Sequence, residues 1–129
     1  MSCGVFKTKW LARFARRGRI TDGSLREAID RAERGIVDAD PGGGLIKQRV
    51  AREGRGRSGG YRMLVAWRQQ GRAVFLYGFA KSEQDNISFD ELASLREIAA
   101  AWLGANTDRI AAAIEANELQ EVGHGEAET

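Results

Sequence analysis

Apolar residues recur with a helical period at the start of the chain, switch to strand-like alternation in the middle, and return to a helical period near the end. From Thr8 to Arg17, Trp10, Leu11, Phe14 and Ala15 form one stripe, with Arg13, Arg16 and Arg17 outside it. A second stripe of Leu25, Ala28, Ile29 and Ala32 starts behind Thr21 or Asp22 as N-cap and is stopped by Gly35. Each of these predicted helices has one apolar face and needs a surface to lie on. The following run, from Asp38 to Gly44, reads as a loop because Pro41 and three glycines break any regular period.

Three strands are predicted next. Leu45 to Arg52 is short and half polar, while Tyr61 to Arg68 and Ala73 to Ala80 are rich in aromatic and β-branched residues. Gln69-Gln70-Gly71-Arg72 reads as a hairpin turn with Gly71 available for a positive φ, and the stretch from Arg55 to Gly60 as a longer hairpin. With period two, Lys47 and Arg49 share a face. Tyr61, Met63, Val65 and Trp67 oppose Arg62, Leu64, Ala66 and Arg68. Phe75, Tyr77 and Phe79 oppose Val74, Leu76 and Ala80. One face of this meander is expected to be core under the N-terminal helices, and Phe75 and Phe79 are assigned to core. The other face is left to present arginines and aromatic rings.

Helices close the chain. Ser88-Phe89-Asp90-Glu91 has the form of a capping box, and Leu92, Leu95, Ile98, Ala99, Trp102 and Leu103 follow at spacings of three and four until Gly104. Thr107 or Asp108 opens a last helix through Ile110, Ala113 and Ile114, and the residues beyond Glu121 have too little apolar surface to fold. The fold class expected is α+β: a small antiparallel meander with two N-terminal helices packed on it and C-terminal helices. Residues 1–104 form its main domain, and 105–129 an acidic helix and tail.

The formal net charge of +2 hides an uneven distribution. Residues 1–44 carry nine Lys/Arg against six Asp/Glu, residues 45–81 nine against one, and residues 82–129 two against eleven, giving +3, +8 and −9. A segment at +8 is an electrostatic footprint for a polyanion. The acidic C-terminal helix and tail, residues 105–129, could fold over it and moderate it in cis. No apolar run approaches the ~20 residues of a membrane-spanning helix, the first residues lack a secretory signal, and the single cysteine, Cys3, permits no internal disulfide. A cytoplasmic protein is expected.

His124, the one histidine, sits in the tail, which argues against histidine-based catalysis, and Cys3 has no partners for a zinc site. Neither metal nor cofactor is expected. What remains is a basic sheet with aromatic neighbours, the combination used for unstacked RNA. Arg52, Arg55, Arg57, Tyr61 and Arg68 are the candidate RNA contacts. RNA can be cut without histidine or metal when its own 2′-hydroxyl attacks. Lys and Arg then neutralise the developing charge, and a Lys or the nearby Glu83 moves protons.

Several segments carry a resemblance to a known family. They are Phe6 to Ala15, Glu33 to Asp40 with Gly42-Gly43-Gly44-Leu45, Lys47 to Arg52, Gly54 to Arg62, and Tyr77-Gly78-Phe79-Ala80-Lys81-Ser82-Glu83. Together, over about residues 5–103, they resemble the RelE/ParE superfamily of type II toxin–antitoxin toxins, in its RelE/HigB-like branch. The resemblance implies helices on an antiparallel sheet, a cognate antitoxin that wraps the toxin, and ribosome-bound mRNA as substrate. It also implies that Lys47, Arg49 and Arg62 contact the scissile phosphate and that Lys81 fills the basic position ending the last strand. Ser82 replaces an arginine of the best-known members, and no counterpart of their C-terminal catalytic tyrosine stands near Asn86-Ile87-Ser88. These departures motivate an alternative: a non-catalytic member that acts on DNA gyrase, or that binds only nucleic acid or antitoxin.

Overall fold

The computed structural model describes residues 4–51, 60–80 and 86–123. In chain order its elements are β1 (Gly4–Thr8), α1 (Lys9–Gly18), α2 (Asp22–Glu33), β2 (Ala39–Gly42), β3 (Leu45–Val50), β4 (Tyr61–Arg68), β5 (Arg72–Ala80), α3 (Phe89–Gly104), α4 (Thr107–Glu115) and β6 (Leu119–Glu121). The strands form one six-stranded sheet in the order β2-β3-β4-β5-β1-β6. All neighbours are antiparallel except β1 and β5, which run parallel. The class is α+β, as expected.

Helix starts follow side-chain chemistry. Thr8 Oγ1 accepts from Leu11 N at 3.2 Å and Thr21 Oγ1 from Ser24 N at 3.1 Å. The capping box at Ser88 is complete in both directions, with Glu91 N to Ser88 Oγ and Ser88 N to Glu91 Oε1 both 3.1 Å. Asn106, rather than Thr107 or Asp108, caps α4.

The sheet is covered on both faces, not one. Leu11, Ala15, Leu25, Ala28, Ile29 and Ala32 from α1 and α2 pack with Ile46, Met63, Val65 and Phe75. On the opposite face, Ala99, Ile110 and Ala113 from α3 and α4 pack with Leu45, Leu64, Ala66, Val74, Leu76 and Phe79. The acidic segment therefore lays apolar residues on the sheet. Beyond residue 104 the chain adds β6 as an edge strand on β1 and contributes Leu119 to the second cluster. Residues 124–129, the end of the expected tail, lie outside the described residues.

Three local expectations are corrected. The run from Asp38 to Gly44 is strand β2 followed by a tight turn, because Gly43 and Gly44 take φ of 70° and 81° and return the chain onto β3. In the β4–β5 turn the positive φ falls on Gln70 (57°), not Gly71. The Glu33 carboxylate holds that turn, accepting from Gln70 N at 3.0 Å and Trp67 Nε1 at 2.8 Å. Finally, the β4–β5 register jumps from Val65–Phe75 to Leu64–Tyr77, so Leu76 is an extra residue that turns the rest of β5 over. Phe75 lies in the first cluster and Phe79 in the second. Both are core, but on opposite faces.

Gly60 shows why the residue before Tyr61 is glycine. A Cβ there would overlap the Val50 carbonyl oxygen and stand 3.1 Å from Ala51 Cα, both backbone atoms that cannot swing aside. Gly60→Ala is expected to lower unfolding free energy in urea by about 1–3 kcal/mol with an unchanged slope. Gly104→Ala, where nothing lies within 4 Å of the new methyl group, should change it by about 0.5 kcal/mol or less.

Candidate functional site

The bulge at Leu76 organises the face beneath α3 into rows that cross three strands. Leu45, Ala66 and Val74 form an apolar row; Lys47, Leu64 and Tyr77 form the next; Arg49, Arg62 and Phe79 form the third. Polarity thus rises toward the end of the sheet where β3 leaves and β4 enters. Arg49 and Arg62 stand directly opposite one another across an antiparallel pair. Like charges placed so are destabilising, which makes the pair a feature to be explained.

A second arginine pair, Arg68 and Arg72, stands opposite across the other end of β4 and β5. Its explanation is internal. Arg68 Nη1 donates to Leu103 O at 2.9 Å, and Arg72 Nη1 to Trp102 O and Ala105 O, both at 2.7 Å. These carbonyls lie at the C-terminal end of α3, where acceptors are left over and the helix dipole favours cations. Burial, then the neighbouring Arg68, lowers the pKa of Arg72. Arg68, expected to touch RNA, is therefore a clasp for α3 and lies six residues along β4 from Arg62, about 20 Å at ~3.3 Å per residue.

The Arg49–Arg62 pair has no such acceptors among the described residues. Arg62 Nη1 is buried and makes no hydrogen bond, while the Arg49 side chain is exposed. An unmatched buried guanidinium donor beside a second cation fits an anionic ligand. Lys47 joins from the next row, its Nζ donating to Asn86 Oδ1 at 2.9 Å in the segment that leads into α3.

The backbone of Arg49 is held from behind by groups that sequence reasoning missed. β2 ends its pairing at Ala39, opposite Lys47, so Arg49 lies beyond the ladder. Asp38 Oδ2 accepts from Arg49 N at 2.7 Å, and the buried Arg31 donates from Nη2 to Arg49 O. Arg31 also pairs with Asp38 at 3.4 Å and with Glu27 at 2.9 Å. The fully buried Gln48 completes the frame, accepting from Asp38 N at 2.7 Å and donating to Ala28 O at 2.9 Å. The available signal was a charge, Arg31, three residues after Ala28 on the inward stripe of α2.

Aromatic residues border the site differently from expectation. Tyr61 is 7% exposed and belongs to the cluster on the opposite face, edge-on to Phe14 at 5.0 Å. Its ring therefore offers no open face to a base. Tyr77 lies on the site's own face beside the buried Phe79, and Trp10 stacks on it at 4.8 Å. Since β1 ends at Thr8, the second half of β5 has no strand on that side, and α1 fills the gap. Gly78 permits this, because a Cβ there would stand 2.8 Å from Phe14 Cε2. Burial, and then the Glu91 carboxylate, hold the Tyr77 hydroxyl above its usual pKa, so it is a neutral donor at physiological pH.

Of the expected site residues, the structure brings together Lys47, Arg49 and Arg62 and separates Tyr61 and Arg68 from them. Arg52, Arg55, Arg57, Lys81 and Glu83 lie outside the described residues.

Among known proteins, the family model described as RelE toxin of the RelE/RelB toxin–antitoxin system matches residues 3–122. No curated protein matches the chain.

The buried Arg31 and the half-buried Arg62, whose Nη1 is buried, should respond oppositely to removal. Arg62→Met deletes a donor that has no partner, and is expected to leave stability unchanged or raise it by about 1 kcal/mol. Arg31→Met strands Asp38 and the Arg49 carbonyl, and should cost about 3 kcal/mol. Urea unfolding of both variants checks this; a large loss for Arg62→Met would show that its guanidinium is structural.

Proposed function

The chain belongs to the RelE toxin family of toxin–antitoxin systems, and from that premise we propose that it is a translation-inhibiting endoribonuclease that cuts mRNA on the ribosome. Family membership implies an antitoxin partner. The observation that carries the catalytic reading is Arg49 facing Arg62, with Arg62 Nη1 buried and unmatched.

In the proposed reaction the ribose O2′ attacks the adjacent phosphorus, and the bond from phosphorus to the O5′ of the next nucleotide breaks. The products are a 2′,3′-cyclic phosphate and a 5′-hydroxyl. The proton leaving O2′ passes to a base on the protein, and O5′ gains one as it departs. Lys47 or Glu83 is assigned this proton movement. Arg49 and Arg62 take the non-bridging oxygens, whose charge grows in the transition state, and Lys81 adds charge from beyond β5. Donors placed where charge develops are often the largest single contribution to rate. Arg52, Arg55 and Arg57 add the sequence-independent attraction that draws RNA in.

Brief induction of the chain without its antitoxin should halt growth. Primer extension should then show in-frame cuts in translated messages that vanish when translation is blocked. Arg62→Ala should lower cutting about 10²–10³-fold and restore growth while the protein stays folded. Intact messages during arrested growth, with an SOS response, would replace this reading with a gyrase-directed one. Full toxicity of Arg62→Ala would remove Arg62 from the site.

A further inference from the structure

Between the first turns of α3 and the sheet lies a cavity of about 330 Å³ lined by Tyr77, Ile87, Asp90, Glu91, Ser94 and Leu95. It borders the cationic rows. Tyr77 is in register with Lys47 through Leu64, and Asn86, which holds Lys47 Nζ at 2.9 Å, directly precedes Ile87 in the cavity wall. One row on, about 6.6 Å along the strand at ~3.3 Å per residue, stand Phe79 and Arg62.

Lys47, Arg49 and Arg62 can hold a phosphate, but every nucleotide has one, so they position without choosing. The cavity beside them has the chemistry that chooses. Its Tyr77 wall is flat and backed by the stacked Trp10, 4.8 Å away. Ile87 and Leu95 supply aliphatic surface, and the polar groups of the lining are the carboxylates of Asp90 and Glu91 and the hydroxyls of Ser94 and Tyr77. Glu91 is already committed to the capping box. Asp90 makes no hydrogen bond among the described residues. An ionised carboxylate only accepts. It therefore welcomes the exocyclic amino group of adenine, cytosine or guanine and repels the carbonyl that uracil presents instead.

We propose that this cavity receives the base of the nucleotide whose phosphate lies on Arg49 and Arg62, and that Asp90 selects bases carrying an exocyclic amino group. The proposal rests on the RNA-cutting reading but is tested separately from it. A flat aromatic wall and aliphatic neighbours suit the π-face of a base, and the Asp90 carboxylate at the edge suits an amino donor. The neighbouring cations offset the charge that a nucleotide phosphate brings toward Asp90.

The test uses the purified full-length chain and four labelled 2′-O-methyl tetranucleotides, one per base, which cannot be cut. Fluorescence anisotropy at low salt should give about tenfold tighter binding of the adenine and cytosine oligomers than of the uracil oligomer. Asp90→Asn should reduce that preference to about threefold or less while leaving uracil affinity in place. Ser94→Trp, which fills the cavity, should abolish preference, and Arg62→Ala should weaken all four alike. Equal wild-type affinities, or an unchanged preference in Asp90→Asn, would overturn the proposal. So would a Ser94→Trp variant that loses its antitoxin yet keeps its base preference, because the cavity would then be a protein-docking site. Base preference without message cutting in cells would retain the cavity and remove the nuclease. Message cutting without oligomer binding would do the reverse.

Discussion

Two arginines face each other across β3 and β4 with no carboxylate between them among the described residues, and Arg31 and Asp38 hold the backbone of one of them in place. Cross-strand cations repel, and a buried guanidinium nitrogen without an acceptor forfeits hydration. Among the described residues neither penalty is offset at Arg49 and Arg62, whereas the equivalent pair at Arg68 and Arg72 is discharged into the carbonyl end of α3. The contrast between the two ends of β4 sets a structural use of paired arginines beside a pair whose use the proposed function supplies. Departures from local rules that lack internal compensation are where function is expected.

Rigidity at the site comes from what lies behind it. An arginine on a free sheet edge could drift with its backbone, but both backbone groups of Arg49 are occupied, one by Asp38 and one by Arg31. The same contacts cover the edge of β3 where β2 has stopped pairing, leaving no open ladder there for another strand to join. Burying Arg31 is tolerable because its guanidinium meets two carboxylates and a carbonyl at once. One ion-paired frame thus fixes the strand and closes its edge.

The parts of this arrangement that could be read in advance were those set by local periodicity and capping. The stripes of α1 and α2, the capping box at Ser88 and the three central strands are stated by neighbouring residues, and so is the shared face of Lys47 and Arg49. Elements dependent on distant partners were not legible. β1 is a strand because β5 lies beside it, and β2 forms although Pro41 interrupts its pattern, since an edge strand can dispense with one donor. The Leu76 bulge was invisible because alternation presumes an unbroken register; one extra residue moved Tyr77 to the face with the cations and Phe75 away from it. Tyr61 misled for the related reason that an aromatic residue beside arginines reads the same whether its face is covered or open. For Arg62, sequence reading located the charge, but that its nitrogen has no acceptor is a property of the packed molecule.

The charge asymmetry of the chain acquires a different meaning once the sheet is sandwiched. A segment at −9 following one at +8 invites the idea of an acidic cover over a basic surface. Yet α3 and α4 reach the sheet through Ala99, Ile110 and Ala113, with Leu92, Leu95 and Trp102 alongside, while Asp90, Glu97 and Asp108 are exposed. Their contact is hydrophobic, and the two cations that meet α3 from the sheet, Arg68 and Arg72, bind its backbone carbonyls rather than its carboxylates. Lys47 is met by the Asn86 amide, which accepts a hydrogen bond without neutralising the charge. The described helices therefore anchor over the apolar rows and do not place a carboxylate on Lys47, Arg49 or Arg62, which is the arrangement the proposed RNA-cutting role needs.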